Sequence, residues 1–298
     1  MSTDDFSTCA NCSKGEEESV VLKNCVACKM VKYCSRDCQK AHRPQHKKEC
    51  RKRAAELHDE ALFKQPPPEE ECPICFLTLP SLETGKRYNT CCGKRICSGC
   101  IHALIMTSRK NMCPFCRTLA PKTEEEVIKR LKKRIEVDDA IATYNQGCDY
   151  ARGMHGLPQD RDKALELWHR AADLGYAASY CNIGYAYSNG EGVQRDEKKA
   201  THYYELAAMV GDVLARYKLG TVEVRAGNYG RALKHYMIAV EGGDNDSLKR
   251  IKQMYSYGHA TRDDYGKALQ AYQEYLVEIK SVDRDKAAAY REDYKYYE

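Results

Sequence analysis

Residues 178–211 read ASYCNIGYAYSNGEGVQRDEKKATHYYELAAMVG, and the same pattern returns on both sides of them. Trp168, Tyr204, Tyr236 and Tyr272 follow one another at intervals of 36, 32 and 36 residues, and Ala164, Ala200, Ala232 and Ala268 keep those intervals. A period of this length marks a unit that cannot bury its own apolar face and must stack on its neighbours. It predicts an all-α solenoid of helical hairpins over residues 139–298. Each unit carries Lys-Ala or Arg-Ala about four residues before its aromatic, then small residues (Ala171 and Ala172; Ala207 and Ala208), then a glycine: Gly175, Gly211 or Gly242. Small residues let helices approach closely, and glycine accepts the left-handed conformation that ends a helix. The tyrosines read as stacking core, and Cys148 and Cys181 as small buried apolar residues. Whether the tail AAAYREDYKYYE at 287–298 caps the last helix or projects into solvent stays open.

The 178–211 unit closely resembles a Sel1-like repeat, a relative of the tetratricopeptide repeat. The third unit lacks the four-residue GEGV-type loop and the fourth is degenerate. The resemblance implies a non-enzymatic scaffold whose concave face binds partner proteins.

Upstream, the chemistry changes near residue 120. Seven of the 17 cysteines lie between residues 9 and 50, eight between 72 and 116, and only Cys148 and Cys181 beyond. No apolar run approaches a membrane span, and the segment MSTDDFSTCANC lacks the apolar core of a secretory signal. The expected location is therefore the cytoplasm or nucleus, where paired cysteines serve as metal ligands more often than as disulfides.

The first cluster runs Cys9-x2-Cys12, Cys25-x2-Cys28, Cys34-x3-Cys38 and His46-x3-Cys50, eight ligands in four close pairs, the number two tetrahedral Zn2+ ions need. With Tyr33 before Cys34 and QKAHRPQHKKEC after Cys38, residues 1–53 resemble a MYND finger, a docking module for short, often proline-containing peptides. The resemblance implies interleaved wiring: Cys9, Cys12, Cys34 and Cys38 on one ion, Cys25, Cys28, His46 and Cys50 on the other. His42, Arg43 and Pro44 stand where many members carry a tryptophan, which implies an altered peptide groove. His42 itself reads as a half-exposed helix residue outside the ligand set.

KQPPPEEE at 64–71 ends an acidic linker assigned to 54–71, extended by its three prolines. A second cluster follows at 72–117: Cys72-x2-Cys75, Cys97-x2-Cys100 and Cys113-x2-Cys116, with one pair missing. Lys94, near the position where a histidine would complete such a set, is protonated at neutral pH and has no lone pair to give. The adjacent Cys91 and Cys92 can supply both ligands. The segment resembles an all-cysteine RING finger, which implies Cys72, Cys75, Cys97 and Cys100 on one ion, and Cys91, Cys92, Cys113 and Cys116 on the other. By the same resemblance Ile74, Leu104, Pro114 and Arg117 fall where RING ubiquitin ligases contact the conjugating enzyme. Ile101, Leu104 and Ile105 share one helical face. A guanidinium suits the last position because it presents several donors in a rigid fork and stays charged. A connecting helix is expected over 118–138, acidic first and basic later as the helix dipole favours.

The expected architecture is thus two small zinc-stabilised cross-brace modules with little regular structure, followed by the helical solenoid, holding four Zn2+ ions in all. The formal net charge of +5 counts every cysteine as neutral; with ligand thiolates and four zinc ions it falls to about −2. That near-neutrality disfavours nucleic acid as a partner. The ten Lys/Arg between 29 and 53 read as a solvated face offsetting thiolate charge. The repeats contain no catalytic triad order and no phosphate loop. Two functions lead: a RING-type ubiquitin ligase that recruits partners through the MYND-like finger and the repeats, or an adaptor in which no ubiquitin moves. A chromatin or nucleic-acid adaptor is the weaker third.

Overall fold

The computed structural model describes residues 8–16, 20–67, 70–81, 85–107 and 112–297. The chain divides into two compact units, Met1–Lys64 and Gln65–Glu298.

In the first unit a two-stranded antiparallel ribbon, β1 (Lys23–Asn24) with β2 (Lys32–Tyr33), precedes the long helix α1 (Arg36–Leu62). Ser35 starts that helix by accepting a hydrogen bond from the Cys38 backbone N–H, the usual work of an N-cap hydroxyl. Pro44 lies inside α1, where its ring removes one backbone donor. The helix is polar nearly all round; the small core beside it is Leu22, Tyr33 and the buried Cys9, Cys25 and Cys28. Helix α1 continues nine residues past the expected end of this module at 53, so residues 54–62 are helix and not linker.

The second unit begins with another antiparallel ribbon, β3 (Lys86–Tyr88) and β4 (Arg95–Cys97), followed by α2 (Ser98–Thr107) and the connecting helix α3 (Glu124–Ile135). Four helical hairpins follow: α4 (Ala140–Arg152) with α5 (Arg161–Asp173), α6 (Ala177–Asn189) with α7 (Glu197–Met209), α8 (Val213–Arg225) with α9 (Tyr229–Glu241), and α10 (Asn245–Ser256) with α11 (Arg262–Ile279). A last helix, α12 (Val282–Tyr290), brings the total to twelve among the described residues.

The repeat period is built on two devices. Aspartates 139, 160, 196, 212 and 244 cap the N-termini of α4, α5, α7, α8 and α10 with their carboxylates. Tyr204 and Tyr236 are buried and each lies against a glycine of the preceding helix: a Cβ on Gly184 would sit 2.8 Å from the Tyr204 ring, and one on Gly220 2.5 Å from that of Tyr236. The expected left-handed caps occur at Gly175 and Gly211, but in the third unit Gly243 takes that conformation, with φ of +87°. Gly242 has negative φ and is kept small by Val213.

The cysteine-rich segment does not stand apart from the repeats. Cys72, Leu79, Ile96, Cys97 and Ile101 share one core with Ala287 of α12 and with Tyr294. Arg284, wholly buried, donates to the carbonyl of Ile279 at 2.6 Å and reaches that of Leu77 at 3.5 Å. At the other end Tyr88 donates to Asp139 at 2.8 Å, and Arg134 grips the same carboxylate at 2.7 and 2.9 Å. The Ser81 backbone N–H donates to the Tyr275 hydroxyl at 2.9 Å. The tail thus covers the finger: Tyr294 and Tyr296 are 6% and 1% exposed.

Candidate metal centres and the groove beside them

Four of the cysteine pairs sit on one repeated backbone turn. In each, the N–H of the residue after the second cysteine donates to the carbonyl of the first: Ser13 to Cys9, Lys29 to Cys25, Phe76 to Cys72 and Arg117 to Cys113, at 2.9–3.0 Å. Those four residues have φ between +56° and +59°, a region side chains enter only at some cost. The turn aims both sulfurs at one point.

The segment with adjacent cysteines makes the same turn. Gly93 N–H donates to the Asn89 carbonyl at 2.8 Å, Asn89 N–H to that of Lys94 at 3.0 Å, and Gly93 has φ of +75°. Asn89 therefore occupies the place of a first cysteine, and the thiol gathered with Cys92, Cys113 and Cys116 is that of Cys91, two residues along. Lys94 lies over the Phe115 ring, 4.4 Å from its centroid, as a cation against an aromatic face.

The structure gathers the ligand atoms into four sets: Cys9, Cys12, Cys34 and Cys38; Cys25, Cys28, His46 and Cys50; Cys72, Cys75, Cys97 and Cys100; Cys91, Cys92, Cys113 and Cys116. Within each, all ligand atoms lie within 4.8 Å of one another. Two sulfurs each ~2.3 Å from one tetrahedral ion stand about 3.8 Å apart. The observed separations are 3.5 Å for Cys12–Cys34 and Cys34–Cys38, 3.7 Å for Cys25–Cys50, 3.8 Å for Cys75–Cys97 and 3.6 Å for Cys92–Cys113. Each set could hold one zinc ion. Without a metal such crowding forces sulfurs to share protons. The hydrogen bond from Cys97 pulls Cys72 down to about 4, whereas hydrogen bonding to Cys12 pushes Cys34 up to about 12. A divalent cation removes the conflict by letting every sulfur be a thiolate.

Around the ligands, Tyr33 hydrogen-bonds His42 Nδ1 at 3.0 Å, and the His42 ring stacks on His46 at 5.6 Å and 11°. His42 is half-buried and outside the ligand set, yet it braces one ligand.

The four residues expected at an enzyme contact are not all brought together. Leu104 and Pro114 line one groove of about 270 Å3, with Ile105, Met112 and Leu119 beside them. Ile74 packs half-buried on the finger's core, and Arg117 is exposed; neither lines that groove. Helix α12 uses a different side of α2, where a Cβ on Gly99 would meet the Arg284 backbone at 2.7 Å and His102 packs on Tyr290 at 5.0 Å. Phe76, next to the first knuckle of this finger, is 72% exposed; its place after a CxxC pair was the only sequence signal for it.

A family profile described as MYND finger matches residues 9–50, the span holding the first two ligand sets. Residues 9–50 are a MYND finger. The Sel1 repeat profile matches 140–176 and 177–212, so α4 to α7 are two Sel1 repeats. MYND fingers bind zinc, which accords with the sulfur spacings above. A rice protein named E3 ubiquitin-protein ligase GW2 (Oryza sativa subsp. indica) is 40% identical over 67 residues, 22% of this chain and 15% of its own. The Arabidopsis thaliana protein named ERAD-associated E3 ubiquitin-protein ligase component HRD3B is 30% identical over 113 residues, 38% of this chain and 18% of its own. The chain thus spans less than a fifth of the length of either relative. Among solved structures, a Sel1 repeat protein from Oxalobacter formigenes shares 25% identity at a TM-score of 0.46, over 65% of this chain and 72% of that one. The chain thus combines a MYND finger, a second cysteine-rich finger and Sel1 repeats. Among the described residues no helix is long and apolar enough to cross a membrane.

Proposed function

We propose that the chain is a RING-type ubiquitin ligase in which four zinc ions, one per ligand set, hold the MYND and RING-like fingers, and in which the MYND finger and the Sel1 repeats recruit protein partners. The observation that carries this reading is the groove containing Leu104 and Pro114, which lies beside the last knuckle on a face of α2 that the docked α12 leaves open. A conjugating enzyme seated there would have its thioester held in a reactive conformation, an effect of positioning that needs no covalent step on this chain. The shared stretch with a rice protein that bears a ligase name supports the same reading.

The test is discharge of ubiquitin from a panel of precharged conjugating enzymes by the full-length protein. Acceleration that Leu104→Ala and Pro114→Ala abolish, with zinc content unchanged, is the expected result. A second reading, an adaptor without ligase activity, is favoured by the position of Ile74 and Arg117 outside the groove. It predicts no discharge by any member of the panel.

A further inference from the structure

Helix α1 carries Arg36, Lys40, Arg43, Lys47 and Arg51 at intervals of four, three, four and four residues. At about 100° per residue these five fall within an arc of about 80°, one stripe along the helix. All five are exposed, and none takes part in an ion pair among the described residues; the ion pairs of this helix involve Arg53 and His58. Asp37 and Glu49, the two acidic residues among positions 36–51, lie off the stripe.

The five cations border a groove of about 610 Å3 whose other wall is the second knuckle: Val26 and Ala27, with Tyr33 behind them. Val26 is 90% exposed. When loaded, the two zinc sets of this finger carry about three net negative charges, so the stripe more than offsets them, and the offset does not require five cations in line. A solvated face gives no reason either for an apolar residue to stand at its edge.

We infer that this groove docks an acidic peptide segment anchored by one large apolar side chain on Val26, with its carboxylates along the α1 stripe. The stripe is about 22 Å long at 1.5 Å per residue, the reach of roughly seven residues of extended chain. Base stacking needs exposed aromatic rings. Of the two rings lining the groove, Tyr33 is 4% exposed with its hydroxyl taken by His42, and the half-buried His46 is already stacked on His42. The apolar edge and the absence of a stacking ring there favour a peptide over a nucleic acid. This assignment names the partner class of the MYND finger and stands whether or not the second finger is a ligase.

The experiment is selection of a displayed library of random octapeptides on the full-length, zinc-loaded protein, repeated on Lys40→Glu/Lys47→Glu and on Val26→Ser. Both positions of the double variant are solvent-exposed, and zinc content checks that the finger remains folded. The expected result is enrichment of sequences with three or more Asp/Glu and one large apolar residue. Affinity of a selected peptide should fall at least about tenfold in the double variant and in moving from 50 to 300 mM salt. It should also fall several-fold in Val26→Ser. Enrichment of neutral proline-bearing sequences, or no enrichment, overturns the inference. So does a labelled 20-nucleotide single strand or duplex that binds more tightly than every selected peptide and is lost in the double variant, which would assign the stripe to nucleic acid.

Discussion

Replacing Arg284 with alanine should weaken the finger and the repeats together. The guanidinium is wholly buried, gives a charged hydrogen bond to the Ile279 carbonyl and reaches the Leu77 carbonyl beside the first knuckle of the finger. Losing a charged hydrogen bond to a buried carbonyl costs about 1.5–3 kcal/mol. Emptying the space of a long buried side chain adds about 2 kcal/mol. The burial penalty of the guanidinium itself is relieved, so the net loss should be about 2–4 kcal/mol. For a unit of this size that corresponds to a fall in Tm of roughly 4–16 °C. Two probes separate the parts. Trp168 is the single tryptophan and reports on the repeats, while a chromogenic chelator reports zinc release from the finger. Both should shift together, and Arg284→Lys, which keeps the charge without the fork, should fall between. A change below about 1 kcal/mol, or one seen by Trp168 with zinc release unaltered, would refute the claim that α12 is part of the finger's support.

Metal analysis of the purified chain should find four zinc ions, and two would mean that one finger holds none. Cys91→Ser should lose one ion of the four, and Asn89→Cys added to it should restore that ion, because Asn89 already sits at the first position of a knuckle turn; failure of the rescue would sink the account of the adjacent cysteines. Gly184→Ala should cost about 1–3 kcal/mol in denaturant unfolding, since the added methyl meets the Tyr204 ring. Asp139→Asn should destabilise the second unit at pH 7. Despite burial, hydrogen bonds from Ala142 N–H, Tyr88 and Arg134 hold the Asp139 carboxyl below its ordinary value. Its contribution is therefore complete above the usual carboxylate range and is lost as pH falls through the depressed folded value. A wild-type minus variant difference that grew on acidification would contradict this.

The periodic aromatics and alanines were enough to place the helical hairpins, because stacking units must repeat the residues that bury their shared face, and a repeat is visible in one dimension. The clustering of the cysteines and His46 into four groups was equally legible, because CxxC spacing is the local signature of a knuckle turn. The turn at Asn89 was not, since a displaced ligand looks irregular until the backbone hydrogen bonds that define the turn are seen. The basic residues of α1 were read as solvated because their number is in the sequence, whereas their alignment beside Val26 depends on where the second knuckle folds back.

By itself, then, the sequence determined the local pattern: the grouping of cysteines and His46 into four sets, and the repeat that makes a solenoid. Only the tertiary structure decided that the second finger and the repeats share one core. The contacts that join them pair residues about 200 positions apart, such as Thr78 with Glu278 and Leu77 with Arg284. No periodicity or spacing encodes such pairs. They arise when α12 buries its apolar face on a finger too small to complete its own core.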